Sequence, residues 1–261
     1  MKKDLFAAFS MLMLCSILLV TTVGIVIAGN PDYALIEHIS QAPATIDGQW
    51  TDDEEWTDSW VVKVSDNVNF SYILDYDTMA MSMCVEIFDD DTDDAGDYWQ
   101  ICFDDGNNGG STPQTNDFRV DILGHTDLVV YEGDGDSWND ITSDIVEGEI
   151  EWANTVSDSP AESTPHWTLE INIIKTTRMA VNPPPCGLRV AVYDASNSEA
   201  GVQDWAPDGD VDDPDTWGLV ENYDLTPIPE GLTFGVMVFL SSVSLVVGSH
   251  YLQKRSKRKE K

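Results

Sequence analysis

Amphipathic helical patterns are scarce between Asn30 and Pro229, while short runs of alternating apolar and polar residues, bounded by Asp, Gly, Asn and Pro, recur along the whole segment. Alternation with period two places every second side chain on one face of an extended chain, so such runs predict half-buried strands. The runs are Tyr33 to Ile39, Trp60 to Val64, Asn69 to Tyr76, Ala80 to Phe88, Tyr98 to Asp104, Phe118 to Leu123, Leu128 to Tyr131, Ile150 to Val156, Trp167 to Ile174, Leu188 to Tyr193 and Trp217 to Glu221. Eleven short strands without a long helix predict an all-β domain, a two-sheet antiparallel β-sandwich of jelly-roll type. No internal repeat or low-complexity linker divides the segment, and about 200 residues bury a sizeable core unaided. One domain over residues 30–226 is expected.

Alternation also assigns faces. Met81, Met83, Val85 and Ile87 share one parity, as do Trp99, Ile101 and Phe103, and both sets read as core. If these two strands form a hairpin turning near Asp93, Cys84 and Cys102 lie opposite one another on the other face, and a disulfide between them is expected. Cys186, after Pro183-Pro184-Pro185, is then left single.

Both ends of the chain are apolar. Lys2 and Lys3 precede a run from Leu5 to Ile27, with small residues at Ala28 and Gly29, the pattern of an export signal over residues 1–29; an uncleaved signal anchor has the same pattern. A second run, Leu232 to Leu252, has the roughly 20 residues a helix needs to cross a bilayer core of about 30 Å. The basic tail after it, residues 253–261, marks the side that stays in the cytoplasm. The chain therefore reads as export signal, extracellular domain, a proline-containing stalk and transmembrane helix over 227–252, and cytoplasmic tail. Pro227-Ile228-Pro229-Glu230-Gly231 with the span and basic tail also resembles the C-terminal sorting signals of archaeal surface proteins, in which the span is exchanged for lipid. Either route tethers the domain to the outer face of a cell membrane.

Charge narrows the partners. From Asn30 to Pro229 there are five basic residues, Lys63, Arg119, Lys175, Arg178 and Arg189, against 44 acidic ones, a formal charge of −39. A phosphate backbone must be met by positive surface, so nucleic acid is excluded. Self-repulsion of this size calls for screening by salt or for bound cations.

Several landmarks in order resemble the family 9 carbohydrate-binding modules and related DOMON-like sandwiches. They are Ile46-Asp47-Gly48, an acidic spacer ending in Glu54-Glu55-Trp56, then Leu74-Asp75-Tyr76-Asp77 leading into Met83 to Asp89. Asp97 to Asp104, His166-Trp167-Thr168-Leu169-Glu170-Ile171 and Trp217-Gly218 follow. The resemblance spans Ile39 to Val220 and implies a two-sheet sandwich, calcium in loops and, in true members, a sugar held between aromatic rings. Relatives with this framework bind haem or act as structural modules, and a shared fold leaves the site undetermined.

A saccharide site needs flat aromatic surfaces beside groups that pair hydroxyls. Trp56, Trp99, Trp167 and Trp217 fall on framework or core positions, whereas Trp138 and Trp205 stand in polar loop context. These two are expected to be the stacking platforms for a polysaccharide or glycan, with Asn116, Asp117 and Arg119 as polar partners. Calcium takes six to eight hard oxygen ligands from Asp- and Asn-rich loops. Three loops qualify, offering Asp89, Asp91 and Asp93, then Asp104 and Asn107, then Asp208, Asp210 and Asp212. The last lacks the Glu and flanking helices of an EF-hand. Haem ligation by Met or His, and a surface-layer or adhesion role without a small ligand, stand as alternatives. His38, His125, His166 and His250 form no zinc pattern. No Gly-x-Ser-x-Gly, phosphate loop or Cys-His pair is legible, and no two carboxylates are singled out for glycoside hydrolysis, so no enzyme activity is expected.

Overall fold

A computed structural model describes residues 29–221 apart from 37–38, 41–43, 52–54, 57–58, 76–79 and 175–184. The expected signal segment, stalk, span and tail lie outside the described residues. The described residues all belong to one compact unit. Among the described residues no helix is long and apolar enough to cross a membrane.

Among the described residues fourteen strands follow one another: β1 (Asn30–Ile36), β2 (Ile39–Ser40), β3 (Trp60–Lys63), β4 (Val68–Asp75), β5 (Ala80–Ile87), β6 (Tyr98–Asp104) and β7 (Asp117–Leu123), then β8 (Asp127–Gly133), β9 (Trp138–Asp140), β10 (Ile150–Ser157), β11 (His166–Ile174), β12 (Cys186–Tyr193), β13 (Gln203–Trp205) and β14 (Gly218–Glu221). Three single-turn 3-10 helices are the other regular elements described. One sheet runs β1-β14-β12-β6-β7-β8-β9 with β13 beside β12; the other runs β10-β11-β5-β4-β2 with β3 beside β4. All pairings are antiparallel except β1 with β14 and β2 with β4. The two sheets face each other, and the expected sandwich stands.

Each sheet buries the parity that alternation assigned to it. Met81, Met83, Val85 and Ile87 meet Phe70, Leu169 and Ile171 on one side; Trp99, Ile101 and Phe103 meet Phe118, Val120, Leu188 and Val190 on the other, in one continuous core. Burying so many large side chains is the main term holding the two layers together.

The expected hairpin of β5 with β6 does not form. β5 lies between β4 and β11, β6 lies between β7 and β12, and the Asp-rich connection passes from one sheet to the other. Correct parity therefore came with the wrong partners, because alternation fixes which face is apolar and says nothing about which apolar face it meets. Cys84 and Cys102 consequently sit on opposite outer faces of the sandwich, Cys84 among Trp50, Trp56 and Ile73, and Cys102 beside Arg119 and Arg189. Packed sheets stand about 10 Å apart, so the predicted disulfide is geometrically excluded. Cys84, Cys102 and Cys186 are all buried free thiols, and burial pushes the Cys102 thiol up to about 12.

The outer face of the six-stranded sheet is closed by the landmark segment near the domain's start. Glu170, fully buried on β11, accepts the Asp47 and Gly48 N–H groups at one oxygen, 2.9 Å each, and the Trp56 Nε1–H at the other, 3.0 Å. Gly48 has φ +83°, and a Cβ there would stand 2.8 Å from the Asn154 backbone, so only glycine lets the turn lie this close. Ile46-Asp47-Gly48, Trp56 and Thr168-x-Glu170 are thus one structural unit; burial pushes the Glu170 carboxyl up to about 7 against the three donors. A carboxyl raised from an ordinary value of 4.5 contributes stability that is whole below about 4.5 and is lost as the pH rises through about 7. In pH-dependent thermal unfolding, Glu170→Gln is expected to melt below the wild type at pH 4.5, with the gap narrowing toward pH 8; a pH-independent gap would show that Glu170 does not titrate there.

Candidate functional site

Three loops meet at one end of the eight-stranded sheet: 105–116 between β6 and β7, the β8–β9 turn at 133–138, and 206–217 between β13 and β14. Asp134 folds the β8–β9 turn, its Oδ1 accepting the Asp136 and Ser137 N–H groups at 2.9 and 2.8 Å. Trp138 opens β9 opposite Gly133 and is half-buried. Its Nε1–H donates to Asp212 Oδ1 at 2.9 Å, and its ring lies parallel to that of Trp217, 7° between planes and 6.4 Å between centroids. Trp217 is fully buried and donates through Nε1–H to the Asp210 carbonyl. A rigid buried indole thus positions an accessible one, as a stacking platform requires.

Register places Trp138, Tyr131 and Arg119 on the same outer sheet face, and Gln100, Asp121, Arg189, Tyr98 and Tyr193 continue it. Arg119 grips Asp121 with Nε at 2.9 and 3.0 Å and with Nη2, while its guanidinium lies 4.6 Å over the Tyr131 ring. Gln100 donates to Asp121 and accepts from Arg189, which also donates to Asp204 and to the Gly209 carbonyl. Tyr98 and Tyr193 stack at 5.6 Å. Gln100, Asp121 and Arg189 are buried and brace the half-buried Arg119 guanidinium beside the half-buried rings of Tyr131, Tyr98 and Tyr193, and flat rings beside a fixed donor are components that a polyhydroxylated ligand requires.

The expected site residues divide. Trp138 and Arg119 stand on this face, but Trp205 does not. It belongs to β13, is 6% exposed, meets Phe70 edge-on in the core, and its ring would lie 2.5 Å from a Cβ at Gly218. Its polar sequence neighbours reflect a three-residue strand too short to show alternation. Asp117 is fully buried and Asn116 is spent on the Asp105 carbonyl and Asn108 Oδ1, so neither faces a ligand. Tyr98, Tyr131 and Tyr193 also line this face, at the strand positions that alternate with the core residues, a signal that the sequence carries.

The acidic loops divide in the same way. Asp89, Asp91 and Asp93 are exposed, whereas Asp90, Asp97 and Asp194 are 1%, 1% and 5% exposed and bring carboxylate oxygens within 4.8 Å of one another. Asp89 has φ 66°, a left-handed turn after β5 that breaks the alternation and sends the next residue inward. Asp97 Oδ2 meets His125 Nε2 at 2.8 Å, its Oδ1 accepts from the Ala195 N–H, and His125 stacks on Trp167 at 3.8 Å. Asp90 Oδ1 accepts from Thr92, but the buried Oδ2 has no partner. Burial and the charges of Asp194 and Asp97 push the Asp90 carboxyl up. An orphaned buried oxygen among three aspartates suits a hard cation. Asp208, Asp210 and Asp212 are exposed; Asp210 and Asp212 accept the Asp212 N–H and the Trp138 indole. Asp104 and Asn107 are buried. As for haem, Met81 and Met83 are core residues, and His125 and His166 are held by Asp97 and Glu86.

No protein-family model and no curated protein sequence matches the chain. Among solved structures, the fold is similar to a family 9 carbohydrate-binding module from Caldicellulosiruptor kristjanssonii in complex with cellotriose, with a TM-score of 0.51, 15% identity, and 75% of this chain and 98% of that one covered. The same module with glucose gives a TM-score of 0.49, also at 15% identity, covering 72% and 95%. The chain thus has a sandwich fold of the family 9 carbohydrate-binding type.

Trp205 and Trp138 should separate in denaturant unfolding. Trp205→Ala is expected to cost about 3–5 kcal/mol as a core truncation, and Trp138→Ala only about 1 kcal/mol. Equal losses would place both rings in the core.

Proposed function

We propose that this protein is a non-catalytic carbohydrate-binding module displayed on the outer face of a cell membrane, taking a polysaccharide or glycan on the outer face of its eight-stranded sheet. The observation that carries this reading is Trp138, held parallel to buried Trp217 and placed by register beside Tyr131 and the Arg119–Asp121 pair. The accessible Trp138 indole supplies a flat apolar surface to the C–H face of a pyranose, and the Arg119 guanidinium, held in place by buried Asp121, supplies donors to its hydroxyls. The similar Caldicellulosiruptor module was solved with cellotriose and with glucose, which makes β-glucans the first ligands to test. The apolar runs at both ends and the basic tail support export and tethering. Calcium at Asp90, Asp97 and Asp194 would neutralise their buried charge and pin the β5–β6 connection to the end of β12.

In affinity electrophoresis through gels containing soluble β-glucans or other polysaccharides, the wild type is expected to be retarded by at least one of them. Trp138→Ala should weaken that retardation about tenfold or more, by loss of stacking and hydrogen bonding. Unchanged retardation in the variant would sink the site assignment. Separately, millimolar calcium is expected to raise the melting temperature of chelator-treated protein. Asp194→Asn should remove most of that rise, and a full rise in the variant would count against the triad as the site.

A further inference from the structure

The charge around the Trp138 platform narrows the kind of saccharide it takes. Trp138 donates its Nε1–H to Asp212 Oδ1 at 2.9 Å. An indole N–H lies in the ring plane, so the exposed Asp212 carboxylate stands at the rim of the ring and covers neither of its faces. Asp140 follows two residues along β9. Alternation puts it on the same outer sheet face as Trp138, about 7 Å away along the strand, and register sets it directly across from Tyr131. It too is exposed. Hydrogen bonding from Thr142, side chain and then backbone, holds the Asp140 carboxyl below its ordinary value and so ionised at neutral pH, the Thr142 N–H donating to Oδ1 at 2.9 Å. Two carboxylates in fixed positions thus flank the accessible indole. The guanidinium on this face has its charge matched already, because Arg119 grips Asp121 and lies over the Tyr131 ring, one strand in from Asp140. The charge of the domain acts in the same direction. Between Asn30 and Pro229 five bases stand against 44 acids, so even if every base were spent on an acid the platform would lie in a negative potential.

We infer that the saccharide bears free amines, as a glucosamine-type glycan does, with a pyranose stacked on Trp138 and ammonium groups paired with Asp140 and Asp212. This names the ligand class of the proposed carbohydrate site and rests on that reading. A sugar hydroxyl both donates and accepts, whereas the two carboxylates beside the ring only accept and carry charge. An ammonium is their complement, with three donors, a positive charge and no acceptor. Brought over the indole it also gains from the negative face of the ring. The same potential works against polyuronates and sulfated glycans, which would bring like charge to the platform. Because both carboxylates are exposed, the pairing adds selectivity to the stacking and is screened by salt, which separates the two contributions.

Calorimetric titration of the full chain in mildly acidic buffer, which keeps the amines protonated, compares the glucosamine trimer with its N-acetylated counterpart and with cellotriose. At low salt the wild type is expected to bind the glucosamine trimer about tenfold more tightly than either neutral trimer, and at about 1 M sodium chloride that preference should shrink to about twofold or less. The double variant Asp140→Asn, Asp212→Asn keeps the acceptor oxygens for Thr142 and the indole while removing both charges, and circular dichroism checks that it folds. Its preference should fall to about twofold or less; a full preference in the folded variant would overturn the pairing. Trp138→Ala is expected to lose the glucosamine trimer, and undiminished binding there would mark attraction to the acidic coat at large and overturn the site. Either neutral trimer bound by the wild type as tightly as the glucosamine trimer would overturn the amine preference and leave the carbohydrate reading standing. If no trimer binds and no polysaccharide retards the chain, the carbohydrate reading falls and this inference falls with it.

Discussion

Carboxylates withdrawn from water, in a segment that carries five bases against 44 acids between Asn30 and Pro229, are the constraint on which the rest of this structure depends. Such groups are tolerable only when other donors replace water or when a proton or cation removes the charge. Glu170 uses two backbone N–H groups and an indole. Glu86 uses His166, and Asp97 uses His125 and the Ala195 N–H. Asp121 has the two-pronged grip of Arg119. Apart from the Arg119–Asp121 pair, which lies within β7, each solution joins segments far apart in sequence, so these acids act as clamps between loops and sheets instead of a merely solvated coat.

That arrangement separates two roles on one framework. The six-stranded sheet has its outer face sealed by the 44–56 segment through Glu170 and Trp56, and the cavity of about 480 Å³ beside it is bordered by a Trp50 ring that is 8% exposed and packed with Trp56. The eight-stranded sheet keeps half-buried rings and a fixed Arg–Asp–Gln array on its outer face, and the loops at its end carry a parallel indole pair. Sealing one face while leaving the other dressed for contact is how a sandwich acquires a directional binding surface without a cleft.

Much of the fold was legible beforehand because burial on a pleated strand has period two. All eleven expected strands occur, and the core parities of β5 and β6 are correct. What failed, failed for identifiable reasons. β9 and β13 are three residues long, below the length at which alternation shows, so both of their tryptophans read as loop residues. A positive φ at Asp89 turns Asp90 inward while Asp89, Asp91 and Asp93 stay exposed, and Asp194 joins Asp90 and Asp97 from about 100 residues away. The Cys84–Cys102 pairing failed because facing strands were mistaken for neighbouring ones.

The sequence by itself determined the class of fold and the buried faces of β5 and β6, and it set the expectations of export and of a partner other than nucleic acid, since periodicity, composition and terminal hydropathy are local properties that need no partner to be read. Only the tertiary structure decided which sheet each strand joins, which tryptophan is core and which is platform, and which aspartates converge. Those depend on chain segments meeting across the sandwich, where one left-handed residue or one change of neighbouring strand redirects a side chain from solvent to interior.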